Sequence, residues 1–353
     1  MIVVAYINDI IKDTYDALCA SDISAYLDKS MAVAIKPNLV VARPASEGAT
    51  THPEVVEGII LYLRDFGIKS IKIIESSWVG ETTKRAFKNC GYEDLSCKYS
   101  IPLIDLKADK AVTLAYDGYK IDICNEALKT DFLINVPVLK AHCQTRLTCN
   151  MKNLKGCIPD SEKRNFHSMG LHKPIAALNA LLKTGYCVVD GICGDLTFEE
   201  GGSPVQSNRL ILGQNPVLVD SYCAELIGFK PDTIGYLTHA KKLGLGNFYS
   251  SEVKVLELNT NKKPAAKAKA SPAADRYKHF IKEDAACSAC YSSLIYALHR
   301  LGVKAPGSIY IGQGFNGKSG DGIGIGSCTR NFSKFVPGCP PKATDIMEAL
   351  HRL

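Results

Sequence analysis

The sequence predicts an α/β protein: a doubly wound, largely parallel sheet, followed by a small C-terminal segment of different character. Three observations predict it. Short apolar runs alternate with amphipathic helical stretches at the spacing of βαβ units. Glycines and prolines punctuate those stretches where helices stop and start. After a Lys/Ala/Pro-rich connector, the composition turns to cysteine and glycine. At 353 residues and 46% hydrophobic content the chain can bury a sizeable core. It divides into an α/β domain over 1–258, the connector over 259–282 and a cysteine-bearing segment over 283–353.

Taken in order, MAVAIKP reads as a strand, and HPEVVEGIILYLRDFG as a helix with Val55, Ile59, Ile60 and Leu63 at helical spacing and Gly67 as its stop. SIKIIES is the next strand, TTKRAFKNCG a short helix, AVTLAYDGYKIDI a hairpin and FLINVPVL a strand. LHKPIAALNALLKTG reads as a helix closed by a glycine cap, CVVDGI and RLILG as strands, and NPVLVDSYCAELIGF as a helix opened by proline. The last segment holds the helix beginning ACSACYSSLIYALHRLG, a short strand GSIYIG, a glycine-rich loop and a closing helix KATDIMEALHRL. By length alone it is too small for a hydrophobic core of its own, so something else is expected to hold it together.

Charge excludes one class of function. Between Lys262 and Lys282 seven Lys/Arg stand against Asp275, a balance of +6 that equals the net charge of the whole chain, so the remainder sums to zero and offers no general nucleic-acid face. The opening MIVVAYINDI lacks a basic flank and meets Asp9 early, and no apolar run reaches spanning length, which predicts a soluble cytoplasmic protein. No G-x-S-x-G elbow, Walker loop or H-E-x-x-H is present, so hydrolytic and ATP-dependent chemistry lack a residue-level basis.

Fourteen cysteines is high for a cytosolic chain, where disulfides are rare. Cys19, Cys90, Cys97, Cys124, Cys187 and Cys223 sit in ordinary helix or strand patterns and are expected to be small buried hydrophobes. Cys287 and Cys290 form a C-x2-C at a helix start, and Cys328 and Cys339 lie eleven positions apart, with Pro340 and Pro341 following. Two close pairs would suit zinc; the wide second pair and the Cys-Pro ending favour a 4Fe-4S cluster, with zinc or free thiols as alternatives. The glycines of GQGFNGKSGDGIGIGSC are expected to let bare backbone approach the sulfurs, since no helix follows to receive a dinucleotide.

In a doubly wound sheet ligands bind beyond the carboxyl ends of the strands. Lys36, Asn38, Glu75, Lys140, His142 and Asp190 fall there, with Ser76 and Ser77. The segment from Leu139 adds Asn150, Lys152, Asn153, Lys155 and His167. So many cationic and amide groups suit a carboxylate or phosphate. Lys36, Asn38, Glu75, Lys140, Asn150, Asn153, Lys155 and Asp190 are the expected binding residues; His142, His167 and Lys152 are the expected catalytic ones, the histidines as proton donors. A second metal site from His142, Cys143, Cys149, Cys157 and His167 matches no recognised spacing, and these cysteines read first as structural.

The motifs KPNLV at 36–40, NVPVLKAH at 135–142, NMKNLKG at 150–156, His167, CSAC at 287–290 and VPGCPP at 336–341 together resemble the domain-of-unknown-function 362 family of prokaryotic iron-sulfur proteins, common in anaerobes. The resemblance implies a cytoplasmic α/β protein with a C-terminal 4Fe-4S cluster on Cys287, Cys290, Cys328 and Cys339. Many members carry a ferredoxin-like insert; here only the connector stands in its place, which argues against a two-cluster electron wire. A fold-level likeness to the amino-terminal part of nickel-pincer lactate racemases is also expected. The function expected is a reductase of a small anionic substrate, with the cluster delivering electrons. The alternatives are an electron or metal carrier docking a redox partner, and a non-redox isomerase or lyase with a structural cluster. The expected partners are the anion, a ferredoxin- or flavodoxin-like donor and a second copy of the chain, without nucleic acid or membrane.

Overall fold

The computed structural model describes residues 1–264, 269–271, 273–302 and 307–351. Strands are β1 (Ile2–Tyr6), β2 (Ala32–Pro37), β3 (Ser70–Glu75), β4 (Leu103–Asp105), β5 (Ala111–Tyr116), β6 (Tyr119–Cys124), β7 (Phe132–Val136), β8 (Lys140–His142), β9 (Arg146–Thr148), β10 (Tyr186–Asp195), β11 (Pro204–Gly213), β12 (Val255–Leu258), β13 (Ile281–Glu283), β14 (Ile309–Ile311), β15 (Ile323–Ile325) and β16 (Lys334–Val336). Helices are α1 (Ile10–Ala20), α2 (Pro53–Phe66), α3 (Thr83–Asn89), α4 (Tyr92–Tyr99), α5 (Asn125–Leu128), α6 (Asn150–Asn153), α7 (Asp160–Ser168), α8 (His172–Leu181), α9 (Pro216–Leu226), α10 (Gly235–Lys242), α11 (Ala274–Tyr277), α12 (Ser288–Leu301) and α13 (Ala343–His351).

The main sheet runs β12-β1-β11-β10-β7-β2-β3-β4. Every neighbouring pair is parallel except those made by β11, which is antiparallel to both β1 and β10. The fold is therefore the expected α/β architecture with a largely parallel sheet. Both faces are covered, which is why its strands read as unbroken apolar runs. Val3, Val33, Ile35, Ile134 and Val188 pack under α1 and α2, whereas Val4, Ala34, Leu133, Cys187 and Val189 pack under α8, α9 and α10.

Strand β1 and helix α1 fill the first twenty residues, a stretch to which the sequence reading assigns no element; β1 forms its sheet contacts with Leu212 and Val255, far along the chain. Two expectations need correction. Helix α8 ends at Leu181 without a glycine cap; Gly185 is needed instead because a Cβ there would stand 2.7 Å from the Phe132 ring. Cys19 and Cys97 are exposed, while Cys90, Cys124, Cys187 and Cys223 are buried.

The C-terminal segment forms its own four-stranded parallel sheet, β13-β14-β15-β16. Ile281, Ile309, Ile311, Ile323 and Ile325 meet Leu294, Ile295 and Leu298 of α12 and Ile346 and Leu350 of α13 in a separate core. The expectation that this segment lacks a core fails, because one or two β-branched residues per short strand suffice when two helices cover the same face. Of the connector, Ala270 and Ser271 donate backbone hydrogen bonds to Ile227 and Leu196, and Ala273, Ala274 and Tyr277 are buried, so its described part lies against the body; residues 265–268 and 272 fall outside the described residues.

Candidate functional site

The sheet has one switch point. From β2 the chain steps outward through β3 to β4, then returns to β7 on the other side of β2. The carboxyl ends of β2, β7 and β3 diverge there and leave a crevice. A cleft of about 120 Å³ fills it, lined by Lys36, Asn38, Glu75, Lys140, His142, Lys152, Asn153, Lys155 and His167 among others. Asn150 and Asp190 do not line it. Asn150 binds Asp220 through its backbone and side-chain N–H groups and accepts from Asn135, and Asp190 accepts from the His52 main chain and ring at the head of α2.

The lining lysines fall into two kinds. Lys36, fully buried, donates to both Glu75 oxygens at 3.0 Å and to Pro37 O at 2.9 Å, and the Glu75 carboxylate also accepts from Leu39 N and Ser76 N. Gly156 crosses directly over this pair: a Cβ there would lie 2.3 Å from Glu75 Oε1. Lys140 donates to Ala49 O at 2.7 Å, and burial with the nearby Lys152 charge pulls its pKa down to about 7. Lys163 is held by Ser76, Ser77 and Asp160. Lys152, by contrast, has no hydrogen bond or ion pair among the described residues, and Lys155 meets only His167 Nε2 at 3.4 Å and the face of Phe166. Burial lowers both pKa values, and for Lys155 the Lys152 charge lowers it further.

His142 is buried, and its Nδ1 accepts from the Gln144 and Thr145 backbone N–H groups at 3.1 and 3.2 Å. In the neutral ring the proton therefore sits on Nε2. That atom has no hydrogen-bond partner, although Glu199 Oε1 is 3.3 Å away. Burial, then Lys152 and Lys155, keep the ring well below its ordinary pKa, and burial and Lys155 do the same to His167. His142, Cys143 and Glu199 carry ligand-type atoms within 4.8 Å of one another and could hold a metal ion, although binding at Nε2 would first displace its proton. Cys149 and Cys157 do not join them; both are buried in the core beneath α8 and α9.

The cleft reaches the cysteine segment. Cys287, N-cap of α12, lines it together with Ser288 and Ala289, and Ser288 Oγ donates to Gln144 Oε1 at 2.7 Å. Burial raises the Cys287 and Cys290 thiol pKa values, the latter to about 12, and the Cys339 and Cys328 charges push both further in the same direction. All four sulfurs thus lie within electrostatic reach. No three of them close to within 4.8 Å, wider than the roughly 3.8 Å sulfur spacing that 2.3 Å bonds to one tetrahedral zinc impose. Gly326 N donates to Val336 O and Ser327 N to Gly338 O, fixing the Cys328 turn beside Cys339. The donor set, four cysteine sulfurs brought together from the start of α12, the Cys328 turn and the Cys-Pro ending, fits a thiolate-ligated metal group.

Among the glycines of the loop, Gly326 stands near a sulfur: a Cβ there would lie 3.8 Å from Cys290 Sγ. Gly312 and Gly314 are needed for Asp284, whose atoms a Cβ would meet at 1.9 and 2.0 Å. The N–H group that reaches Cys287 Sγ belongs to Gln313, at 3.6 Å. Gln313, Trp78, Arg164 and Glu199 were not among the expected site residues. Only Trp78, the chain's single tryptophan, carried a signal in sequence.

The model of the family described as Domain of unknown function (DUF362) matches residues 33–225. This chain belongs to the DUF362 family. The matched region spans the cleft residues from Lys36 to Glu199 and ends before the four cysteines of the C-terminal segment. A curated relative of this DUF362 protein, the thylakoid-associated protein sll1697 of Synechocystis sp. (strain ATCC 27184 / PCC 6803 / Kazusa), is 24% identical over 220 residues, 60% of this chain and 68% of that one. Among solved structures, the lactate racemase apoprotein from Thermoanaerobacterium thermosaccharolyticum superposes with a TM-score of 0.45 at 11% identity over 64% of this chain; the chain spans 57% of its length. No helix among the described residues is long and apolar enough to cross a membrane.

Proposed function

We propose that this DUF362 protein is a cytoplasmic iron-sulfur oxidoreductase that reduces a small anion held in the cleft. The observation carrying this reading is the pair Lys152 and Lys155, cations without carboxylate partners in a cleft whose wall includes Cys287. Desolvated, mutually repelling ammonium groups are relieved by an anion. A 4Fe-4S cluster on Cys287, Cys290, Cys328 and Cys339 supplies single electrons when bound. Lys152 and Lys155 fix the anion, the committed pair Lys36–Glu75 shapes the wall behind it, and His142 holds a proton at Nε2. His167 Nε2 accepts from Ser288 N and faces Lys155 Nζ, so it takes up a proton there and passes it to the anion. The electron donor is a ferredoxin- or flavodoxin-like protein.

A second reading, a non-redox isomerase or lyase, draws on the His142, Cys143 and Glu199 group as a Lewis-acid centre. Anaerobic purification with iron and sulfide counts and an EPR spectrum tests the cluster, and electron consumption by a small anion separates the two. The proposal expects about four irons and four sulfides, lost together in the Cys328→Ser variant, and reduction of small anions abolished by Lys152→Met or His142→Gln with iron retained. Full reduction in both variants overturns it.

A further inference from the structure

We infer that the anion is an organic carboxylate with a flat, unsaturated body, which deepens the anion-site reading above and rests on it. The cleft has two chemically distinct parts. One holds Lys152 and Lys155, three residues apart where α6 gives way to the 3-10 turn Leu154–Cys157. The other is apolar and comes from three separate places: Val40 beyond β2, Trp78 and Val79 beyond β3, and Ala289 in the first turn of α12.

An inorganic anion would satisfy the lysines and leave this wall facing water. The wall is also preorganised. Trp78 N donates to Val40 O at 3.2 Å, and Trp78 O accepts from Glu81 N at 3.1 Å and Lys107 Nζ at 2.8 Å. Gly80 seats the same loop against Pro340: a Cβ there would lie 3.3 Å from both the Pro340 ring and the Trp78 indole nitrogen. The main chain on both sides of the half-buried Trp78 is fixed and its indole lines the cleft, and an indole selects planar groups by offset stacking. With only about 120 Å³ available the body is small, on the scale of one ring or a short conjugated chain.

The test titrates the purified, cofactor-loaded protein with cinnamate, its saturated analogue 3-cyclohexylpropionate, acetate and inorganic phosphate, by calorimetry and by the fluorescence of the single tryptophan. Cinnamate is expected to bind about tenfold or more tightly than the other three and to change the Trp78 emission. Lys152→Met should abolish its binding, Trp78→Ala should weaken it by about tenfold, and Trp78→Phe should retain it, which also controls for folding. Acetate or phosphate binding as tightly as cinnamate overturns the carboxylate-with-body class while leaving an anion site. Equal binding of the saturated analogue overturns the flat body. Binding that leaves Trp78 emission unchanged overturns the placement, and failure of all four anions to bind overturns the underlying anion-site reading as well.

Discussion

Lys36 and Lys152 line the same cleft and should respond oppositely to the same change. The Lys36 and Glu75 side chains are 1% and 3% exposed and satisfy one another. Lys36→Met leaves the Glu75 charge buried with only backbone donors and should cost about 3–5 kcal/mol. Lys152 is a desolvated cation with no partner among the described residues, so Lys152→Met should leave stability unchanged or raise it by about 1 kcal/mol, while removing function. Urea midpoints at constant m-value distinguish the two; equal destabilisation would contradict the partition of the cleft into structural and binding lysines. That partition was not legible in the sequence. Lys36 lies near the end of β2 and Lys152 on α6 shortly after β9, and what separates them is a carboxylate 39 residues from Lys36 that no local pattern assigns. The candidate set was legible as chemistry, because cations and amides are dense after β7, but Asn150 and Asp190 look identical to cleft residues until their partners are known.

Asp190 shows how elements are tied together. Its carboxylate on β10 accepts from both the main chain and ring of His52, the N-cap of α2, at 2.8 Å each. Burial lowers the His52 pKa, but the Asp190 charge and hydrogen bond raise it more, so the folded value lies above the ordinary one. The stabilisation is therefore complete below about pH 6.5 and is lost as pH rises through the folded value. His52→Gln should cost about 1–2 kcal/mol at pH 6 and less at pH 9. Identical losses at the two pH values would mean that the ring binds as a neutral donor only. Helix α2 itself was legible end to end, from Pro53 to Gly67 at φ 103°, and so was the β5–β6 hairpin, whose Asp117-Gly118 turn takes positive φ at both residues. Gly185 was misread, because a glycine just past a helix signals a cap in sequence, whereas here it admits the Phe132 ring. Its φ is not left-handed, so Gly185→Ala is destabilising through overpacking alone, by about 1–3 kcal/mol, measured as a shift of the denaturation midpoint.

At the scale of the whole molecule, the cleft is complete only because two separately cored units meet. Ser288 and Gln144, Gln313 and the Arg164 carbonyl, and the Phe198 ring packed on Tyr296 and His299 join the β13–β16 unit to the main body, and this junction sets Cys287 in the cleft wall. Three-residue strands and a glycine-rich loop hid the core of that unit from sequence, since neither shows a period. The consequence is a separation between two kinds of order. Leu294, Ile295 and Leu298 share a core with isoleucines of β13, β14 and β15 and with Val336 of β16, whereas the Cys328 turn is held beside Cys339 by backbone bonds of Gly326 and Ser327. In the Cys287→Ser, Cys290→Ser double variant, hydrogen exchange at Leu294, Ile295 and Leu298 should stay within about twofold of the parent, while amides from Gly326 to Gly338 exchange faster. Equal loss of protection in helix and loop would mean that the thiol group, rather than the isoleucine core, organises the segment, and that the cleft wall at Cys287 forms only when that group is occupied.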